Sequence, residues 1–434
     1  MKTWIKNGHV VDPAQNLDKI ADVLVEDGTI VSIGEIKDTD ISTDTEVIDA
    51  SGLYVVPGFI DLHVHFRDPG LTYKETLTTG ARAAAKGGYT AVCPMPNTKP
   101  VIDTPEKVAE LLLRAKTEAD VRILPVGAVT LNQDGEVLAD IEGMAKAGAV
   151  AISEDGKSVM NTLVYRQGMK EAARVGIPVF AHCEDKLLVD GGVMNAGKKA
   201  EELGMPGITN AVEDVITARD IFMAKETGAQ LHLCHCSTSD SVELVELAKK
   251  QGLPVTAEVC PHHFTLCDED IPGDDANYKM NPPLRAKADV EALKEGMKND
   301  IMTVISTDHA PHSKEEKEKS IRQAPFGIVG LETAFALGVT ELVKKGVLTF
   351  PQLVEKMSTN PGKVLGGELG SLKPGKKADI TLVDMDVPYV IDKETFVSMG
   401  KNTPFHGKEV YGQVHMTMVD GKIVYRKDKR LGNN

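Results

Sequence analysis

Eight short apolar runs rich in β-branched residues, with helix-like stretches between them, set the narrowest limit on what this chain can fold into. The runs fall at 55–61, 89–93, 121–126, 149–153, 177–181, 230–234, 254–259 and 301–306. Amphipathic segments lie between them, for example at 73–86, 105–117, 163–175 and 241–251. Continuous apolar runs, rather than alternating ones, belong to strands buried on both faces, and such strands pair in parallel under helical cover. Gly148, Gly176 and Gly228 stand where preceding helices should end. Eight strand–helix repeats predict an α/β fold, a (β/α)8 TIM barrel. An open doubly wound sheet is the competitor, but no glycine-rich dinucleotide fingerprint follows the first strand.

The chain ends follow a different rule. Residues 21–34 alternate in polarity around Asp27-Gly28, and 415–426 do so around Asp420-Gly421. Asp-Gly between alternating strands marks a hairpin. Residues 378–384 add a strand, and the Pro-, Gly- and Lys-rich stretch 372–377 reads as a boundary loop. A lone hairpin is barely stable. Segments 1–53 and 366–434 are therefore expected to join into one discontinuous small β-domain flanking a barrel of residues 54–365.

Bulk properties exclude several classes. At 434 residues, 42% hydrophobic and 26% charged, the chain has the make-up of a soluble globular protein. A net charge of -15, with no Lys/Arg cluster among aromatics, argues against nucleic acid as a partner. No apolar run reaches the length of a membrane span, and no apolar h-region follows Met1-Lys2-Thr3, so no membrane partner and no signal peptide are expected. The six cysteines are scattered, mostly inside strand-like runs, which reads as reduced thiols of a cytoplasmic protein. Cys234-His235-Cys236 is no exception, because alternation along a strand turns the two thiols away from His235.

In a barrel of this type catalytic groups gather at the C-terminal ends of the strands. Those ends carry His63 and His65 after strand 1, Asp155 after strand 4, His182 after strand 5, His235 after strand 6 and Asp308 after strand 8. His63 and His65 lie two apart, so both imidazoles reach one face. Four imidazoles and two carboxylates without thiolates suit Zn2+. They outnumber the ligands of one tetrahedral ion that keeps a position open. Two ions are expected, one on His63 and His65, the other on His182 and His235, with Asp155 as the nearest bridging carboxylate and Asp308 on the first ion. Two cations would lower the pKa of a shared water, and a carboxylate beside it can move the proton.

These residues resemble the amidohydrolase superfamily, and closely the bacterial class I dihydroorotases. The resemblance spans nearly the whole chain. It rests on Pro57-Gly58-Phe59-Ile60-Asp61-Leu62-His63-Val64-His65-Phe66-Arg67-Asp68-Pro69-Gly70 and on Met95-Pro96-Asn97-Thr98. Further strings are Lys279-Met280-Asn281-Pro282-Pro283-Leu284-Arg285, Thr307-Asp308-His309-Ala310-Pro311-His312 and Pro325-Phe326-Gly327-Ile328-Val329-Gly330. The resemblance implies reversible cyclisation of N-carbamoyl-L-aspartate to L-dihydroorotate in pyrimidine synthesis, with Asp308 as general acid and base. It implies His65, Arg67, Asn97, Asn281, His312, Phe326 and Gly327 as substrate contacts. The Arg67 fork suits a free carboxylate, and Asn97 offers an amide to the same group. It further implies two Zn2+ per subunit and a homodimer, and raises association with aspartate carbamoyltransferase. Many superfamily members bridge their metals with a carboxylated lysine; here the strand-4 position reads Ser153-Glu154-Asp155, with Lys157 nearby.

Other histidines carry smaller expectations. His262-His263 follow strand 7, and adjacent strand residues point oppositely, so at most one faces the mouth. His232 is expected to pack inside strand 6, and His309 borders Asp308. Residues 314–319 (Lys-Glu-Glu-Lys-Glu-Lys) read as a solvated helix face or loop, placed to act as a mobile cover over the mouth. The rival readings are a hydantoinase, dihydropyrimidinase or allantoinase-like hydrolase and, from another class, a non-catalytic scaffold. A neutral ring gives Arg67 and Asn97 nothing to bind, and a scaffold would have lost ligands that are all present here.

Overall fold

The computed structural model describes residues 2–37 and 43–427; residues 1, 38–42 and 428–434, which the expected terminal domain also includes, lie outside the described residues. Eight parallel strands form the barrel expected from the eight runs. They are Phe59–Val64, Tyr89–Pro94, a third strand in two pieces (Arg122–Ile123 and Val126–Ala128), Ala151–Ser153, Val179–Ala181, Leu231–Leu233, Val255–Val259 and Val304–Ile305. Pro125 splits the third strand, but Leu124 N–H still donates to Val92 O and Val150 N–H to Pro125 O, both at 2.9 Å. Helices such as Leu77–Lys86, Thr162–Val175 and Ser239–Lys250 cover the outside with their apolar faces.

Closure depends on a side chain as well as the backbone. Val64 pairs in parallel with His309, and His65 N–H donates to His309 O at 2.8 Å. Below this the last strand is only two residues long, and the Asp61 carboxylate accepts from Thr307 N–H at 3.1 Å and from His63 N–H at 3.0 Å. Burial pushes Asp61 up to about 7, against the pull of the Thr307 and His63 hydrogen bonds. The barrel interior beneath the mouth is filled by Ile60, Leu62, Ala91, Phe180 and Val304.

The run expected as one strand at 55–61 is two strands in two sheets. Tyr54–Pro57 pairs antiparallel with Ile380–Asp384, and Phe59–Val64 pairs with Tyr89–Pro94. Gly58 is the crossing point: its N–H donates to Asp379 O, and the next N–H, that of Phe59, donates to Gly88 O. The first barrel strand also runs three residues beyond its expected end, with a register shift between Asp61 and Val64.

Both chain ends share one eight-stranded sheet. Its order is Lys422–Arg426, Gln413–Val419, Ile380–Asp384, Tyr54–Pro57, Lys2–Asp12, Leu17–Glu26, Thr29–Gly34, with Glu46–Asp49 also paired to Lys2–Asp12. One face buries Ile5, Val23, Ile30, Val55, Ile380, Leu382 and Met416 in a core of its own. The two Asp-Gly turns meet there: Ala378 N–H donates to Gly28 O and Gly421 N–H to Ala378 O. Gly28, at φ 78, approaches so closely that a Cβ would lie 2.6 Å from Asp420 O. All six cysteines are free, and no helix among the described residues is long and apolar enough to cross a membrane.

Candidate active site

The strand ends deliver all six expected ligands to one point. His63 lies inside the first strand and is fully buried, and His65 follows directly, the two rings 5.2 Å apart. Asp155 sits among the imidazoles. Its Oδ1 is 3.2 Å from His63 Nε2, 3.5 Å from His182 Nδ1 and 3.5 Å from His235 Nε2. Its Oδ2 is 3.3 Å from His65 Nε2. One carboxylate thus touches both histidine pairs. Asp308 Oδ1 lies 3.1 Å from His65 Nε2 and 3.6 Å from His63 Nε2. Neighbouring Glu154 turns away to accept from Val129 N–H, Thr130 N–H and the Thr130 hydroxyl, and Lys157 donates to Gln133 O.

The donor set fits metal ions. His182 Nδ1 and His235 Nε2 face each other at 2.9 Å. His63 Nε2 and Asp155 Oδ1 are buried without a hydrogen-bond partner. Leaving such atoms unpaired is costly, whereas a cation among them would satisfy both. Burial works against charge on Asp155, yet His63, His182 and His235 hold it well below the usual carboxylate range. Burial likewise opposes charge on Asp308, and the His65 hydrogen bond with the nearby imidazoles brings it down to about 2. Three-residue groupings capable of holding an ion include His63, Asp155 and His235, and His63, His65 and Asp308.

The outer layer fixes which ring nitrogen faces inward. His65 Nδ1 pairs with Asn97 Oδ1 at 2.9 Å, and His63 Nδ1 with Glu258 Oε1 at 2.9 Å. A ring that donates through Nδ1 presents Nε2 as a lone pair, the arrangement of ligating histidines. Glu258 also accepts from His235 N–H at 3.1 Å and pairs through its other oxygen with His232 Nε2 at 3.0 Å. Sequence reasoning passed over Glu258. Its signal was present, as a lone carboxylate inside the buried strand Val255–Val259.

A cleft of about 160 Å³ opens over the cluster, lined by His65, Arg67, Asn97, Asp155, His182 and His235 and, on its other side in sequence, by Asn281, Asp308, Phe326 and Gly327. Arg67 is anchored by Nε on Pro311 O at 3.2 Å. Asn281 Nδ2 donates to Glu184, whose carboxylate also lies 3.8 Å from His182 Nε2. Glu184 is a second residue the sequence reading missed, although it closes the string Phe180-Ala181-His182-Cys183-Glu184. Gly327 adopts φ 126, and a Cβ there would lie 2.6 Å from that of Ala310.

His312 stands against the cleft residues Arg67 and Phe326: its Nε2 pairs with Phe326 O at 2.7 Å and lies 3.3 Å from Arg67 Nη2, and its Nδ1 accepts from Lys74 at 3.2 Å. His262 and His263 belong to a short helix, Pro261–Thr265, not to a strand, and both are buried, with His263 Nε2 on Pro282 O. His309 supports the strand-8 loop, its Nδ1 accepting from Gly330 N–H at 3.2 Å and its Nε2 facing Glu75 at 3.5 Å. Residues 314–319 are not a uniformly solvated face, because Lys317 is buried.

Comparisons with known proteins agree with this geometry. A protein-family profile described as Dihydro-orotase-like matches residues 52–241. The dihydroorotase of Ligilactobacillus salivarius (strain UCC118) is 49% identical over 431 residues, covering 99% of this chain and 100% of that protein. That of Geobacter metallireducens (strain ATCC 53774 / DSM 7210 / GS-15) is 46% identical over 427 residues, covering 98% and 100%. Among solved structures, the L-hydantoinase (dihydropyrimidinase) from Arthrobacter aurescens aligns with a TM-score of 0.87 at 29% identity, covering 98% of this chain and 96% of that one. The fold is therefore shared with that hydantoinase, while the higher identity over nearly the full length is to dihydroorotases. On that identity, this chain belongs to the dihydroorotase family.

Proposed function

We propose that the protein interconverts N-carbamoyl-L-aspartate and L-dihydroorotate, as a metal-dependent cyclic amide hydrolase of pyrimidine synthesis. What supports it most is the Asp155 carboxylate within 3.5 Å of four imidazoles, beneath a cleft that also holds Arg67 and Asn97. His63, His65, Asp155, His182, His235 and Asp308 would hold two Zn2+. Bound there, the ions would acidify a water and polarise the substrate carbonyl.

The chain's own groups divide the remaining work. Arg67 and Asn97 bind the substrate's free carboxylate, Arg67 as a charged fork and Asn97 through the Nδ2 left free when Oδ1 turns to His65. Asn281 meets the ureide edge, steadied by Glu184. Phe326 and Gly327 contribute backbone groups against the ring. His312, which stands beside Arg67 and holds Phe326 O, contacts the same free carboxylate. Asp308 accepts the proton of the attacking water and returns it to the ring nitrogen as the C–N bond breaks; in the biosynthetic direction the order reverses.

Zinc-loaded protein assayed with L-dihydroorotate, hydantoin and allantoin, with metal counted by elemental analysis, tests this reading. Turnover of dihydroorotate with two equivalents of zinc is expected, and no turnover of dihydroorotate would sink it. The hydantoinase reading is favoured by the solved structures at 25–29% identity, against 45–49% for the dihydroorotases, and lacks a use for Arg67. A homodimer, and association with aspartate carbamoyltransferase, are part of the proposal and are read by light scattering with and without that enzyme. Cytoplasmic placement accords with the six free thiols.

A further inference from the structure

The charged run between His312 and Phe326 holds one residue that its pattern does not explain. Lys317 ends a four-residue helix, Lys314–Lys317, and is buried while Lys314 and Glu318 are exposed. Its Nζ donates to Lys279 O at 3.2 Å, Pro325 O at 3.1 Å and Gly327 O at 2.9 Å. An ammonium has three N–H bonds, and here each has a carbonyl. Those carbonyls come from two separate stretches of chain, and both stretches line the cleft: Asn281 follows Lys279, and Phe326 and Gly327 belong to the other.

The second stretch is pinned along its whole length. Lys279 Nζ donates to Ala324 O at 2.6 Å and lies 4.4 Å over the Phe326 ring. His312 holds Phe326 O, and Asn402 Nδ2 shares Gly327 O at 3.0 Å. Four successive carbonyls, 324–327, thus each accept from a side chain. Gly327 N–H donates to Lys279 O at 3.0 Å and joins the two stretches directly. Burying an ammonium against carbonyls rather than a carboxylate is unfavourable: burial pushes Lys317 down to about 7.

We propose that Lys317 is a positioning residue for substrate, clamping residues 279–281 and 325–327 at the separation that forms one wall of the cleft. This rests on the cyclic-amide reading of that cleft. The clamp contacts none of the six residues assigned to the metals. Loosening it weakens substrate binding and leaves the proton transfer at Asp308 in place, so the effect falls on KM rather than kcat.

Lys317→Met keeps the stem and removes all three donors, whereas Lys317→Gln keeps two N–H bonds. With L-dihydroorotate, Lys317→Met is expected to raise KM by about 10-fold or more, the scale of a wall displaced by a fraction of an ångström. Its kcat should stay within about 3-fold and its metal content should equal that of the parent. Lys317→Gln should fall between parent and Met. An unchanged KM in Lys317→Met overturns the proposal. So does metal loss that tracks the activity loss, or failure of both variants to fold by circular dichroism, which would make Lys317 a folding residue only. A parent protein that hydrolyses hydantoin but not dihydroorotate would overturn the substrate reading instead, and the same variants assayed on hydantoin would then decide the clamp.

Discussion

The barrel mouth and the end sheet both place non-glycine residues in the left-handed backbone region, under opposite conditions. In the end sheet these are Asn7, Asn16, Asp27 and Asp420, and the two aspartates, each at φ 49, are each followed by a glycine in a hairpin turn at the rim of the sheet. Aspartate tolerates that conformation, and the turn twists the strands as a sheet requires. At the mouth they include Arg67 at φ 59, His235 at φ 36 and Asp308 at φ 49, none of them followed by a glycine in a hairpin turn. Strain of this kind persists only where the surroundings enforce it, and it gathers at functional sites. The mouth also crowds buried carboxylates and imidazoles, whereas the end sheet buries Ile5, Val23, Leu382 and Met416. One region is arranged for chemistry at a cost in stability, and the other supplies stability without chemistry.

Substitutions should separate the two. The largest effect is expected from Asp308→Asn, which keeps the shape of the side chain and removes its basicity. Its kcat should drop by about 10²- to 10⁴-fold with Tm unchanged or raised; a near-parental kcat would remove Asp308 from proton transfer. Next, Arg67→Lys loses the fork and should lower kcat/KM for dihydroorotate by about 10- to 100-fold through KM. Hydantoin, which lacks the carboxylate, should be nearly indifferent, and an equal loss on both substrates would deny Arg67 its role in specificity. Glu258→Gln removes the charge behind His63 and should weaken metal binding by about 10- to 100-fold in chelator competition, with activity recovered at saturating zinc. Failure of zinc to restore activity would move Glu258 from metal support to some other task. The smallest functional effect belongs to the end sheet: Gly28→Val forces a Cβ toward Asp420 O and should cost about 1–3 kcal/mol, read as a lower Tm with kcat unchanged. A Gly28→Val protein of normal Tm but impaired kcat would break the contrast between the regions.

Much of this was legible in the chain because it depends on local pattern. The eight apolar runs report burial on both faces, and each became a barrel strand, although the first gave its opening residues to the other sheet at Gly58. The i, i+2 spacing of His63 and His65 needs only strand geometry to bring the imidazoles together. Asp27-Gly28 and Asp420-Gly421 carry the turn conformation in their own chemistry. The misses share a cause. Glu258 joins His63, His232 and His235 across three strands, Glu184 joins His182 to Asn281 across 97 residues, and Lys317 reaches the Lys279 carbonyl 38 residues back.

The sequence by itself therefore determined the barrel, the paired terminal hairpins and the six groups that meet at the strand ends, because periodicity and spacing are properties of neighbouring residues. The tertiary structure alone decided where the neighbouring carboxylate goes: Glu154, adjacent to Asp155 and chemically alike, accepts from Val129 N–H and the Thr130 hydroxyl and so leaves the imidazoles to Asp155. It likewise decided that a lysine in a charged run is buried. A side chain's direction depends on partners distant in the chain, and no local pattern encodes them.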